Sequence, residues 1–158
     1  MTLLDNGTRF PSTALSTVGG GSLSLPGDLA GSYGVVLAFR GSWCPYCNAQ
    51  LASFQRAADR LAEAGIAVVA LSVDDEETTA ALVAKHHLGF PVAHGVDPAA
   101  FAAATGAFVN PEPAYLQSTG FVLSPEGDVL TAVYSSGAIG RLVPDDVLGF
   151  VGYLRSHG

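Results

Sequence analysis

Apolar residues along this chain fall into two kinds of run, and their alternation lays out an architecture. Val35-Val36-Leu37-Ala38-Phe39 and Ile66 to Val73 are nearly unbroken apolar stretches of strand length. Such a run without alternation marks a strand buried on both faces, as in the middle of a parallel sheet. Between them the period changes. Leu51, Phe54, Ala58 and Leu61 recur at helical spacing, with Gln50, Arg56, Asp59, Arg60 and Glu63 around them. The pattern predicts a helix from Pro45 to Ala64. A proline opens it, where a missing N–H costs nothing, and Gly65 closes it. Strand, helix and strand in this compass form a βαβ unit with parallel strands and a right-handed crossover.

Upstream, Leu3 to Phe10 and Gly21 to Leu25 read as extended segments, with a glycine-rich turn at Val18 to Ser22. Leu29 to Gly34 reads as a turn or a single helical turn. Downstream, Asp74-Asp75-Glu76-Glu77 opens a helix to His87, its acids suiting the positive helix end. Phe90 to His94 is a short strand, and Asp97-Pro98 caps a helix, Ala99 to Thr105, that Gly106 stops. Phe108 to Ser118, with Pro111 and Pro113, reads as a loop. Gly120 to Leu123 and Val129 to Tyr134 are strands joined at Ser124 to Asp128 as a hairpin. A final helix starts at Pro144, with Val147, Leu148, Val151 and Leu154 on its apolar stripe. The order predicts a single α/β domain over residues 1–158, its mixed sheet parallel in the first half and antiparallel in the last.

Composition narrows the function classes. The chain holds 14 acids against 7 bases, for a net charge of -7. That balance repels phosphate, so neither nucleic acid nor an anionic membrane surface is an expected partner. No run approaches the length of a membrane span. The N-terminus lacks the apolar core of a signal peptide, so the expected compartment is the cytoplasm, where thiols stay reduced. The low charge and high apolar content are compatible with a homodimer.

Two cysteines, Cys44 and Cys47, stand in Trp43-Cys44-Pro45-Tyr46-Cys47, directly after a buried strand and at the start of a helix. Three residues span less than one helical turn, so both sulfurs lie near the same helix end. There the free N–H groups and the helix dipole favour a thiolate. Cys44, at the helix tip, is expected to be the more exposed and to attack. Cys47, one turn in and facing the core, is placed to resolve a mixed disulfide. The competing readings are two chemically idle buried cysteines, or half a zinc site completed by His86, His87 or His94. A single CxxC pair leaves the second short of the four ligands structural zinc takes. Arg40 could stabilise the thiolate or sit in a surface ion pair. Trp43 could shape a partner groove, Tyr46 touch substrate, and Arg141, in the loop before the last helix, reach the site.

The segment Phe39-Arg40-Gly41-Ser42-Trp43-Cys44-Pro45-Tyr46-Cys47 resembles the active-site segment of the thioredoxin superfamily, specifically its peroxiredoxin-like AhpC/TSA, or redoxin, group. Leu4-x-x-Gly7 with Phe10-Pro11 resembles that group's N-terminal extension. Phe90-Pro91, Asp97, Gly106 and Phe121 to Gly127 match its later elements. The CPYC tetrad is shared with glutaredoxins, whose chains are shorter. The resemblance implies a thioredoxin-like fold and a Cys44–Cys47 dithiol that needs no metal or other cofactor. It implies a disulfide or hydroperoxide as substrate and a thioredoxin- or glutathione-type reductant. A redox-sensing module without turnover is the alternative. Two departures from that group stand out, while a third position follows it against thioredoxin. Gly41 occupies the place of the group's Thr or Ser, three residues before the attacking cysteine. No arginine stands at Gln117, Ser118 or Thr119, where the group's peroxide-orienting arginine belongs. Thr119 or Ser118 takes the place of the thioredoxin cis-proline, so Thr119 is a supporting residue by position.

Overall fold

A computed structural model describes residues 2–158. The chain runs β1 (Thr13–Thr17), β2 (Gly21–Leu25), a 3-10 turn at Gly27–Leu29, β3 (Tyr33–Ala38), α1 (Pro45–Arg56), α2 (Ala58–Glu63) and β4 (Ile66–Leu71). It continues through α3 (Glu76–His86), β5 (Val92–His94), α4 (Pro98–Thr105), β6 (Val109–Pro111), β7 (Ala114–Leu116), β8 (Thr119–Leu123), β9 (Val129–Tyr134) and α5 (Pro144–His157). Seven strands form one sheet in the order β2-β1-β5-β4-β3-β8-β9. β3, β4 and β5 are parallel, while β8 and β9 continue antiparallel from β3. The expected mixed sheet is therefore present, with the unbroken apolar runs at its centre.

Both faces of the sheet are covered. Val35 and Leu37 of β3 pack with Leu51, Phe54 and Leu61 from α1 and α2, and with Val147 and Val151 of α5. Val36 and Ala38 point the other way, into a second core with Phe10, Phe101, Leu116 and Phe121. Alternate residues of one strand thus serve two cores, which is why β3 shows no alternation in sequence.

Four local readings change. The predicted helix from Pro45 to Ala64 bends at Ala57 (φ -92°, ψ 7°) into α1 and α2. The i to i−4 bonds from Ala57 to Ser53 and from Leu61 to Ala57 survive the bend. It turns Ala57 rather than Ala58 toward the core. A strand, β1, lies where none was predicted, paired with β2 across the glycine turn. Leu15 is its one large apolar residue, too weak a pattern to read. The Phe108 to Ser118 loop contains the β6–β7 hairpin, a separate two-stranded sheet too short to need a ladder N–H from either proline. Of the four acids Asp74 to Glu77, the last two lie inside α3 and Asp75 caps it through Thr78 N–H, whereas Asp74 accepts from Ser42 N–H at 2.8 Å. Asp74 therefore ties α3 to the segment that carries the cysteines.

Candidate active site

The segment Arg40 to Cys47 leaves β3 at its C-terminal end and turns into α1, at the edge where ligands bind in open α/β sheets. Cys44 is the N-cap of α1, with Pro45 at the first helical position. Its Sγ accepts from Cys47 N–H at 3.3 Å, the role an Asp or Ser oxygen plays at other helix starts. Asn48 fixes the turn by donating from Nδ2 to the carbonyls of Ser42 and Cys44, each at 2.8 Å. Its Oδ1 takes the Nε2–H of His86 at 2.6 Å. His86 thus braces the loop from α3.

Both sulfurs are wholly buried, at 0% exposure. This corrects the expectation that Cys44 is the exposed member. The arginines supply much of the cover. Arg40 sits with Nη1 3.7 Å from Cys44 Sγ, and its own backbone N–H donates to Cys47 Sγ at 3.3 Å. Its Nε donates to Gln117 Oε1 at 3.0 Å and its Nη2 to Tyr115 Oη at 3.2 Å. Trp43 lies over the same guanidinium, 4.9 Å from ring centroid to Cζ, and meets Tyr115 edge-on at 5.0 Å. From the opposite side Arg141 brings Nη2 to 3.4 Å from Cys47 Sγ and 3.9 Å from Cys44 Sγ. Arg40 and Arg141, far apart in sequence, therefore meet at the dithiol.

The rest of the shell follows from close packing. A Cβ on Gly41 would stand 2.2 Å from Trp43 Nε1, so only glycine lets the indole fold back over Arg40. This is the physical content of the missing Thr or Ser. Gln117, where an arginine was looked for, orients Arg40 instead. Trp43 and Tyr46 are both more than half exposed, at 54% and 53%, and form the rim. Pro45 starts the helix. Thr119 is buried with its hydroxyl turned back to the Gln117 carbonyl at 3.1 Å, bonded to neither sulfur. Tyr115, Gln117 and Gln50 went unread as site residues. Their partners lie scores of residues away, and no periodicity encodes such contacts.

Electrostatics separates the two thiols. Burial pushes the Cys44 thiol up, but it is outweighed. Bonds from the Cys47 thiol and N–H, together with Arg40 and the charge of Arg141, hold Cys44 below the ordinary thiol range. Cys47 moves the other way. Burial and its bond to Cys44 raise it, against the Arg40 N–H and Arg141. Cys44 is therefore the more acidic thiol of the pair. No group of three or more His, Cys, Asp or Glu among the described residues could hold a metal ion. No helix among them is long and apolar enough to cross a membrane.

Solved structures share this architecture throughout. AhpC of Mycobacterium bovis matches with a TM-score of 0.83 at 20% identity, over 100% of this chain and 96% of its own. Peroxidoxin BcpB of Mycobacterium tuberculosis matches with a TM-score of 0.82 at 18% identity, over 96% and 99%. The fold is the thioredoxin fold of those peroxiredoxins. In sequence, a peroxiredoxin of Treponema denticola is 28% identical over 141 residues, 85% of this chain and 66% of that relative's length. The AhpC/TSA family profile matches residues 6–132, which hold both cysteines and Arg40 but stop short of Arg141. By that match, running from the N-terminal segment into β9 through the CPYC helix start, the chain belongs to the AhpC/TSA family.

Proposed function

We propose that this protein is a thiol-dependent reductase of hydroperoxides. Cys44 is the attacking sulfur and Cys47 the resolving one. The observation that carries the reading is the convergence of Arg40 and Arg141 on a wholly buried Cys44. A folded protein's disulfide needs a thiolate open to a bulky partner, whereas a small molecule such as a hydroperoxide can reach a recessed thiolate, where cations polarise its leaving oxygen. The Cys44 thiolate attacks the terminal peroxide oxygen. The O–O bond breaks, Cys44 becomes a sulfenic acid, and the alkoxide or hydroxide leaves and takes a proton. Arg40 and Arg141 stand where that leaving charge develops. The Cys47 thiolate then attacks Cys44 Sγ, expelling hydroxide, which takes up a proton as water, and closing a Cys44–Cys47 disulfide. A cellular dithiol of the thioredoxin type, or glutathione, returns both electrons.

The CxxC spacing supports a second reading, direct disulfide exchange. The bond from Cys47 N–H to Cys44 Sγ is the arrangement that exchange through an N-terminal helix thiolate uses. Side-by-side assays of peroxide consumption and insulin reduction separate the two. Wild type is expected to consume peroxide, with Cys44→Ser inactive and Cys47→Ser stopped after one turnover. Insulin reduction without peroxide consumption would replace the first reading with the second. Full activity of Cys44→Ser in both assays would overturn both.

A further inference from the structure

Gln50 lies on α1 one turn beyond Cys47, and it is 7% exposed. A buried amide must place its donor and acceptor with care, because each left unpaired is costly. Gln50 places both on successive residues of the segment before α5. Its Oε1 accepts from Arg141 Nη1 at 2.8 Å, and its Nε2 donates to the Leu142 carbonyl at 3.0 Å. Arg141 is held on its other side by the Ala138 carbonyl, to which Nε and Nη2 donate at 3.2 and 2.9 Å. The free part of Nη2 faces Cys47 Sγ. No carboxylate competes for this cation. The ion pairs among the described residues are Arg60 with Asp145 and His94 with Glu76.

We propose that Gln50 is a positioning residue for the resolving step: it holds Arg141 against Cys47, so that each sulfur has its own guanidinium, Arg40 for Cys44 and Arg141 for Cys47. The proposal rests on the reading of Cys44 as attacking and Cys47 as resolving. Its logic is sequential. In the reduced pair, the Cys44 thiolate draws both cations and keeps the neighbouring Cys47 protonated. Once Cys44 is bonded to oxygen or to another sulfur, its charge is gone. Arg141 then faces Cys47 alone and favours loss of its proton at the moment Cys47 must attack.

The test uses 2,2′-dithiodipyridine, a neutral disulfide that reports on both cysteines whatever the natural substrate. Cys44 attacks one sulfur of the reagent, forming a mixed disulfide and releasing one pyridinethione. Cys47 loses its proton to solvent and attacks Cys44 Sγ, closing the Cys44–Cys47 disulfide and releasing the second. Two electrons pass from the protein to the reagent, in two phases of absorbance. Gln50→Met is expected to slow the second phase about tenfold at neutral pH, the loss of thiolate that a one-unit rise in pKa produces. The first phase is expected to change by less than about threefold, because Arg40 still serves Cys44. The deficit is expected to close as pH rises, and Arg141→Met with Gln50→Met is expected to be no slower than Arg141→Met alone. Gln50→Glu, which keeps the bond from Arg141, gives up the one to the Leu142 carbonyl and neutralises the cation, is expected to slow the second phase as well. A second phase that is unchanged in Gln50→Met or faster in Gln50→Glu would overturn the proposal. So would a deficit that is constant with pH, or one that multiplies with Arg141→Met. Absence of the first phase in wild type would overturn the reading of Cys44 itself.

Discussion

Burial as complete as that of Cys44 would by itself raise a thiol's pKa; here four donors outweigh it and lower it. They are the thiol and N–H of Cys47 and the guanidiniums of Arg40 and Arg141. The consequence for stability has a definite sign. The folded pKa of Cys44 lies below that of an ordinary thiol. Between the two values the unfolded chain binds more protons than the folded one, so the stability of the reduced protein rises with pH across that window. The contribution is complete above the unfolded value and lost as pH falls through the folded one. Cys47 is raised above the ordinary thiol value, so it works in the opposite direction at higher pH. The reduced protein is therefore expected to gain stability up to the ordinary thiol pKa, about 8.5, and yield some of it beyond. Arg40→Met is expected to flatten the rise and to slow Cys44 alkylation about tenfold at neutral pH, roughly one unit of pKa. Denaturant midpoints against pH, with alkylation rates beside them, check both. A slope untouched by the substitution would remove Arg40 from the account.

At the scale of elements, the site is a helix start held in place by its neighbours. Asn48 clamps the Ser42 and Cys44 carbonyls, His86 holds Asn48, and Asp74 takes Ser42 N–H. Asn48→Ala is expected to cost about 1–3 kcal/mol, since it removes three hydrogen bonds worth roughly 1 kcal/mol each and some of the freed groups meet water. The same substitution is expected to slow both sulfur steps by loosening the N-cap. Urea unfolding and the two-phase thiol assay read the two effects. Unchanged kinetics would show that the turn holds its shape without the clamp. Elements of this kind divide sharply in legibility. β3, β4 and α1 announce themselves through burial, because continuous apolar runs and a helical period follow directly from the two cores. The CxxC at the start of α1 is legible for the same reason. β1 and the β6–β7 hairpin are not, because their pairing is set by backbone bonds between small, polar or proline-containing segments. The bend at Ala57 shifts the buried face by one residue, which a steady 3.6 period cannot express.

At the scale of the whole molecule, the scarcity of cations becomes meaningful. Only 7 of 158 residues are Lys or Arg, yet two of them meet at the sulfurs from opposite ends of the sequence. Arg40 is legible from its place four residues before Cys44. Arg141 is legible only as a cation in a loop. What brings it in is the return of the chain from β9 and the grip of Gln50, a contact across 91 positions that no local pattern carries. The fold thus gathers two cations at the dithiol of a chain whose net charge is strongly negative. The central claim is that Cys44 takes the oxidising equivalent and Cys47 completes an intramolecular disulfide. The most direct measurement is the intact mass of the reduced protein after one equivalent of hydroperoxide. Wild type is expected to lose two hydrogens, Cys47→Ser to gain one oxygen on Cys44, and Cys44→Ser to keep its mass. Oxidation of Cys44→Ser at the wild-type rate, or a wild type that ends as a disulfide between two chains, would contradict the account.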